Sequence, residues 1–422
     1  MIPIIFNYLP AILFLIIVSL GTNVNVQNAL GAMVRPYVTG PTINDPDLKV
    51  EVVFKNNGKL DIPTTGMAFV GPNDILVLEK NKGTVQRIIE GKLHDHPVLE
   101  VKVGTQLEWG MLGIAVSKSE QNTYVFLYYT EDGDDNEAEH VLGNRLYRYE
   151  LLDDHLVNPT LLLELPAKSL SEQENNHTGG KVVIGPDKNV YVTVGDVGER
   201  DGQSQNNRNG DPVDGTSGIL RVTQDGKPVG DGILGDSNVL RLYYAYGIRN
   251  SFGFDFDPVN GNIWDTENGV DDKDEINLVK PGFNSGWKQV TGIAPEGFDP
   301  QSLVNFNGKG KYSDPQFVWN KTVGPTDLRF LDSNKLGSKY ENTIFVGDFN
   351  NGYLYNFELD PERTGLLLED QLSDHIADTP NEQKNIIFGQ GFGVITDLEV
   401  GPDGYMYILG YDGTIYRVIS DE

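Results

Sequence analysis

One pattern recurs six times along this chain: an apolar run, a turn built from Pro, Asp, Asn or Gly, and a second apolar run rich in aromatics. It opens cleanly at Met67 (MAFVGPNDILVL), Val182 (VVIGPDKNVYVTV), Phe254 (FDFDPVNGNIW) and Leu398 (LEVGPDGYMYIL). It opens with a blurred turn at Ile114 (IAVSKSEQNTYVFL) and with a longer one at Leu328. Successive units start 47 to 74 residues apart. β-branched and aromatic residues flanking turn formers predict two antiparallel strands per unit. Residues 83–88, 145–151 and 413–418 predict a further strand in several units. A unit of this size cannot bury its apolar face alone, so repeated copies must stack on one another. The expectation is an all-β, six-bladed β-propeller of four-stranded antiparallel blades, with a sandwich or solenoid as the alternative. The 48 Gly and 22 Pro suit many tight turns. No long amphipathic pattern or low-complexity linker interrupts the array, so residues 36–422 are expected to form one domain.

Residues 1–35 stand apart. No charged side chain precedes Arg35, and residues 8–20 are almost wholly apolar. That run is short for a membrane span and suits the core of a signal peptide, with small residues following at Ala29, Gly31 and Ala32. A cleaved signal or an uncleaved N-terminal anchor is expected, and hence a secreted or periplasmic-type location, with any membrane contact made through that segment alone. The rest carries a heavy acidic excess, 61 Asp and Glu against 33 Lys and Arg. This argues against a nucleic-acid partner and against docking on anionic lipid. Cysteine is absent, which excludes disulfides, thiolate metal sites and a cysteine nucleophile.

Three segments between the repeats carry chemistry. Residues 175–180 (NNHTGG) put His177 among polar and Gly residues at a loop-to-strand junction. A neutral imidazole there can take a proton, although a lone His is often structural, and Asn176-His177-Thr178 also reads as a glycosylation sequon. Residues 246–252 (YGIRNSF) place the Arg249 cation beside the Asn250 amide, a pair suited to an anionic or quinoid oxygen or else to inter-blade carbonyls. Residues 264–277 (WDTENGVDDKDEIN) hold Asp265, Glu267, Asp271, Asp272, Asp274 and Glu275. Such density fits Ca²⁺ in a flexible loop, or a solvated acidic turn. The acidic stretch 131–139 reads as a solvated loop, and the remaining histidines as surface residues.

In this order the segments resemble the glucose/sorbosone dehydrogenase family, the soluble sugar dehydrogenases that use pyrroloquinoline quinone (PQQ). The matching stretches are WGMLGIAV (109–116), HTGGKVVIGPDKNVYVTVGD (177–196), GILRVTQDG (218–226), YAYGIRNSFGFDFDPVNGNIWDTENG (244–269), DEINLVKPGFNSGW (274–287) and the last repeat. The resemblance implies a six-bladed propeller oxidising an aldose-type sugar, with an electron acceptor it does not identify. It implies His177 as general base, Asp196 beside it, and Arg249 with Asn250 polarising the quinone. It implies the carbonyls of Gly269 and Val270 as ligands of a Ca²⁺ bridging to the cofactor. Two substrate-side positions depart from the family pattern: Glu108 stands where a Gln is usual and Asn176 where an acid is common. Residues 345–352 (FVGDFNNG) and 391–397 (GFGVITD) lack the Lys and Arg that anchor the cofactor in the family. PQQ has three carboxylates, and burying an unpaired charge costs several kcal/mol. Lys181, Arg200 and Arg329 are the candidates to replace the missing cations. A non-catalytic propeller binding carbohydrate or protein, and a Ca²⁺-dependent lactonase using His177, are the alternatives.

Overall fold

The turn signature dictates the local structure. In the computed structural model, Lys188 N donates to Gly185 O (2.9 Å) and Gly404 N to Gly401 O (2.8 Å), closing tight turns whose last residues have φ of 64° and 81°. In each turn the Asp takes a backbone N–H two residues on and, with its other oxygen, a Tyr hydroxyl four residues on. These hydroxyls are Tyr191 on Asp187 (3.0 Å) and Tyr407 on Asp403 (2.9 Å). The Tyr ring then lies on the first Gly of its turn. A Cβ on Gly185 or Gly401 would stand 2.7 or 2.4 Å from that ring. The Gly-Pro-Asp signature therefore records a packed turn, not merely a flexible one.

The structure describes residues 40–133, 140–168 and 176–421. The expected leader (1–35) and part of the acidic stretch 131–139 lie outside these residues. All six repeat units form hairpins, and each hairpin begins one sheet. Sheet 1 comprises Thr64–Gly71, Asp74–Glu79, Thr84–Ile89 and Lys92–Leu93, with Leu99–Glu100 also on the third strand. Sheet 2 comprises Met111–Lys118, Thr123–Asp132, Val141–Leu152 and His155–Leu165. Sheet 3 runs Val182–Ile184, Val190–Val194, Gly218–Val222, Tyr243–Tyr246, Phe283–Asn284 and Lys311–Tyr312. Sheet 4 runs Gly253–Phe256, Ile263–Glu267, Asp274–Val279, Phe317–Trp319 and Ile376–Ala377. Sheet 5 runs Pro325–Phe330, Ile344–Asp348, Tyr353–Phe357, Ile387–Gln390 and Thr42–Ile43. Sheet 6 runs Ile395–Val400, Met406–Gly410, Ile415–Ser420 and Leu48–Phe54.

The uniform four-stranded antiparallel pattern is corrected in sheets 1, 3, 4 and 5. In sheets 3 and 4 long connections lay short strands along otherwise open edges, and the pairings Tyr246–Asn284, Phe283–Lys311 and Val318–Ile376 are parallel. In sheet 1 both Lys92–Leu93 and Leu99–Glu100 pair antiparallel with the third strand, and in sheet 5 Thr42–Ile43 pairs antiparallel with Ile387–Gln390. Covering an edge satisfies its row of backbone N–H and C=O groups.

The first strands face one another as in an all-β propeller. Thr64–Gly71 lies against Met111–Lys118 and Ile395–Val400, and Met111–Lys118 against Val182–Ile184. Pro325–Phe330 lies against Gly253–Phe256 and Ile395–Val400. Apolar clusters fill the space between neighbouring sheets. One joins Trp264, Phe317 and Trp319 of sheet 4 to Leu328, Phe330 and Tyr355 of sheet 5. The chain ends meet in sheet 6, where Leu48–Phe54 pairs antiparallel with Ile415–Ser420.

Charged residues stitch the first strands together. Lys181 Nζ, just ahead of sheet 3, is 2.7 Å from both Asp327 of sheet 5 and Asp397 of sheet 6. Asp397 also accepts Met67 N of sheet 1, and Asp327 accepts Leu398 N. Arg329 pairs with Glu399 (2.9 Å) and reaches Asp255 of sheet 4 (3.6 Å). Burial pulls the Lys181 ammonium down, but Asp327 and Asp397 outweigh it and hold the group well above its ordinary range.

Candidate active site

His177 sits in the left-handed region (φ 58°), just before the first strand of sheet 3, and is almost wholly buried. Its Nδ1 lies 2.6 Å from Asp196 Oδ1. Asp196 is fully buried directly after the second strand, held by its own N–H to Arg249 O and by the Glu199 N–H. Gly195 permits this approach, since a Cβ there would stand 2.1 Å from His177 O. An imidazole whose Nδ1 faces a carboxylate keeps Nε2 as its free basic nitrogen.

Arg249 and Asn250 come from the connection between sheets 3 and 4. Arg249 Nη1 donates to the carbonyls of Asn268 (3.0 Å) and Gly269 (2.7 Å), while its buried Nε meets no hydrogen-bond acceptor among the described residues. Arg249 N donates to Glu267 Oε1, and Ser285 Oγ donates to Glu267 Oε2. Burial pushes the Glu267 carboxyl up to about 7 against these two donors. Trp287, absent from the expected site residues although it closes the DEINLVKPGFNSGW stretch, donates its indole N–H to Asp196 Oδ2 (2.7 Å). The Arg249 guanidinium lies over the same indole, 5.4 Å from its centre.

Asn250 Oδ1 accepts from Gly179 N (3.1 Å), and Asn250 Nδ2 reaches both oxygens of Glu108 at 3.3 Å. Glu108 Oε2 also accepts from Thr178 N (2.9 Å). Lys80, a second residue the sequence did not single out, donates to the carbonyls of Leu107 and Trp109 on either side of Glu108. Burial draws its ammonium down to about 8, opposed by the Glu108 charge. Asn176 contributes its carbonyl to Gly198 N (3.0 Å).

These loops close a ring to which every sheet contributes. From Glu108, the path runs through Met111 O, which accepts from Thr65 Oγ1, and through Tyr411 O, which accepts from Thr64 N. Tyr411 meets Phe349 edge to face at 6.1 Å, and Phe349 N donates to Gly324 O. Asn268 Nδ2 donates to Pro325 O, and Asn268 N to Asn250 O. One arc of the ring thus carries His177, Arg249, Asn250 and Glu108; the opposite arc carries the exposed Phe349 and Tyr411.

The candidate replacement cations are already engaged. Lys181 and Arg329 are locked in the ion pairs described above, and Arg200 pairs with Asp214 at 2.8 Å. The arrangement therefore fits the quinone end of PQQ, through the unpartnered Arg249 Nε beside Asn250. It does not fit the three carboxylates, and segments 345–352 and 391–397 offer them no basic side chain. The reading of 264–277 as one flexible acidic loop is corrected. Ile263–Glu267 and Asp274–Val279 are strands, so Asp265, Glu267, Asp274 and Glu275 are buried within sheet 4 and only residues 268–273 form the loop. Asp274 is satisfied by the N–H groups of Gly269, Val323 and Gly324. Among the described residues no group of three or more His, Asp or Glu is placed to hold a metal ion. The Gly269 carbonyl, an implied Ca²⁺ ligand, faces Arg249, and Val270 is exposed.

Comparison with known proteins bears on this site. The chain is 25% identical to the aldose sugar dehydrogenase YliI of Escherichia coli over 355 residues, covering 83% of this chain and 87% of that protein. It is 30% identical to quinoprotein glucose dehydrogenase B of Acinetobacter calcoaceticus over 319 residues, 60% of this chain and 65% of the relative. In fold it resembles the PQQ-bound form of the aldose sugar dehydrogenase from Streptomyces coelicolor, with a TM-score of 0.65 at 21% identity, covering 89% of this chain and 99% of that one. The sequence profile of glucose / sorbosone dehydrogenases matches residues 60–417. With nearly all of the propeller inside that match, the chain belongs to the glucose/sorbosone dehydrogenase family.

Proposed function

We propose that this protein is an exported sugar dehydrogenase that oxidises an aldose-type sugar, and we read its six sheets as six blades. The observation that carries the proposal is the His177–Asp196 pair set beside Arg249 and Asn250 on one arc of the ring of loops, with Asp196 N donating to Arg249 O and Gly179 N to Asn250 Oδ1. His177 Nε2 takes the hydroxyl proton of the sugar. Asp196 holds the Nδ1–H side and stabilises the imidazolium that forms. Glu108 and Asn176, flanking the base, receive sugar hydroxyls. Arg249 and Asn250 present N–H donors to the electron-accepting group, their charge and dipole fixed in advance by Gly269, Gly179 and Trp287. A bound quinone such as PQQ would supply the two-electron sink. Its quinone oxygens are proposed to meet Arg249 and Asn250, and the Gly269 and Val270 carbonyls are proposed Ca²⁺ ligands.

The test is calorimetric titration of PQQ into the Ca²⁺-loaded protein, together with aldose-dependent dye reduction by wild type and His177→Ala. Binding with dye reduction that falls about 10²–10⁴-fold in His177→Ala supports the proposal. No binding at tens of micromolar PQQ, with no dye reduction, refutes PQQ-dependent oxidation. It would leave a carbohydrate- or protein-binding propeller, the reading favoured by the engaged Lys181, Arg200 and Arg329.

A further inference from the structure

We infer that Trp287 is a positioning residue that holds the base pair and the guanidinium in one fixed relation. Its indole N–H is 2.7 Å from Asp196 Oδ2, while Asp196 Oδ1 meets His177 Nδ1 at 2.6 Å, so the carboxylate is gripped from both sides. Its ring face carries the Arg249 guanidinium at 5.4 Å. The indole has little freedom to point elsewhere. Trp287 N donates to Gly247 O (3.0 Å), Trp287 O accepts from Asn206 Nδ2 (2.8 Å), the next N–H, of Lys288, donates to Gln205 O (3.0 Å), and the side chain is buried. One side chain is thereby in contact with both halves of the site: the group assigned to take the proton and the group assigned to polarise the acceptor.

The consequence follows from hydrogen-bond accounting. Asp196 Oδ2 is buried, and without the indole N–H it loses the one side-chain donor it has among the described residues. A buried carboxylate oxygen short of a donor turns toward whatever donor remains. Here that pull falls on His177 Nδ1 and on the N–H of Glu199. Arg249 lies over the Trp287 ring, Glu267 lies close enough to Asp196 to feel its charge, and Glu108 accepts from Thr178 N beside His177; a Trp287→Phe substitution leaves all three in place. Phe also retains an aromatic face beneath the guanidinium.

The inference rests on reading His177 as the base, so the experiment has one arm that needs no turnover. The ¹⁵N shifts of the His177 ring nitrogens, assigned by difference from His177→Asn, report which nitrogen holds the proton at neutral pH. In wild type a single species with Nδ1 protonated is expected. In Trp287→Phe a mixture of ring species is expected, because the carboxylate that fixes the ring is no longer held from its far side. The kcat is expected to fall about tenfold to a hundredfold with KM unchanged, as for other groups that orient a site ligand from behind. Identical ring shifts in the two proteins would show Trp287 to be packing alone and overturn the inference. Changed ring shifts without aldose turnover in either protein would support the positioning role and sink the dehydrogenase reading. Should Trp287→Phe not fold, the indole resonance of Trp287 in wild type, assigned by its shift in Arg249→Lys, decides. It must also shift in His177→Asn, because the two rings hold opposite oxygens of Asp196, and an unmoved indole would overturn the coupling.

Discussion

Lys181→Met tests whether a cation that could replace the missing cofactor anchors belongs to the scaffold or to a ligand. The substitution keeps an unbranched side chain and removes one ammonium from between two carboxylates. In the native protein that ammonium is 2.7 Å from Asp327 and 2.7 Å from Asp397, with all three groups buried. Removing one partner of a buried pair costs about 3–5 kcal/mol, because the remaining charge keeps its desolvation penalty and loses its compensation. Two carboxylates are orphaned here, but each retains a backbone donor, from Met67 or Leu398, and Met recovers some apolar burial. A loss of about 4 kcal/mol at pH 7 is expected, a large part of a typical total of about 5–15 kcal/mol. The loss shrinks on acidification, since Asp327, already pushed above the usual carboxylate range by burial, can take up a proton. The assay is urea unfolding followed by tryptophan fluorescence at pH 4.5 and pH 7, with Lys181→Met/Asp327→Asn/Asp397→Asn as the charge-free control. The control recovers most of the lost stability. A wild-type urea midpoint for Lys181→Met at pH 7 would refute the reasoning and leave this lysine free to meet an anionic ligand.

Two further outcomes follow from the site. Glu267, ordinarily near 4.5, is pushed up to about 7 by burial, so the folded state holds its proton more tightly than the unfolded chain does. The corresponding stability is full below pH 4.5 and is lost as pH rises through 7, at about 1.4 kcal/mol per pH unit and about 3 kcal/mol in all. Glu267→Gln removes this slope; an unchanged dependence of the unfolding midpoint between pH 4 and 8 would rule the assignment out. Gly195→Ala places a methyl 2.1 Å from His177 O and 3.0 Å from Arg249 O, both unyielding backbone atoms. It is expected to cost about 1–3 kcal/mol and to lower aldose oxidation by displacing His177. Wild-type melting and turnover would refute the close approach.

Much of the fold was legible because its rules are local. The turn residues at 185–188 and 401–404 each close their own hairpin with neighbours no more than a few residues away, so six copies announced six hairpins. The edge-covering strands at Phe283–Asn284, Lys311–Tyr312 and Ile376–Ala377 were not legible. They have only two residues each, too few for any periodicity, and pair through backbone groups of distant segments. His177, Arg249 and Asn250 stood out by residue type and surroundings. Trp287 and Lys80 did not, because an indole N–H or an ammonium takes its meaning from what it touches, and Asp196 lies 91 residues from Trp287.

The acidic run at 264–277 shows where the division falls. Its composition alone suggested a solvated or cation-binding loop. Packing on both faces of sheet 4 buried Asp265, Glu267, Asp274 and Glu275 instead, and gave Glu267 and Asp274 backbone donors from neighbouring loops. The same holds for charge pairing: the sequence supplied Lys181 as a spare cation, and only the ring closure that brings sheets 3, 5 and 6 together spent it on Asp327 and Asp397. By itself the sequence determined the hairpins and the residue types at the site, because those depend on neighbours along the chain. The tertiary structure decided which charges are free and which side chains hold the site, because those depend on contacts between blades that no local pattern encodes.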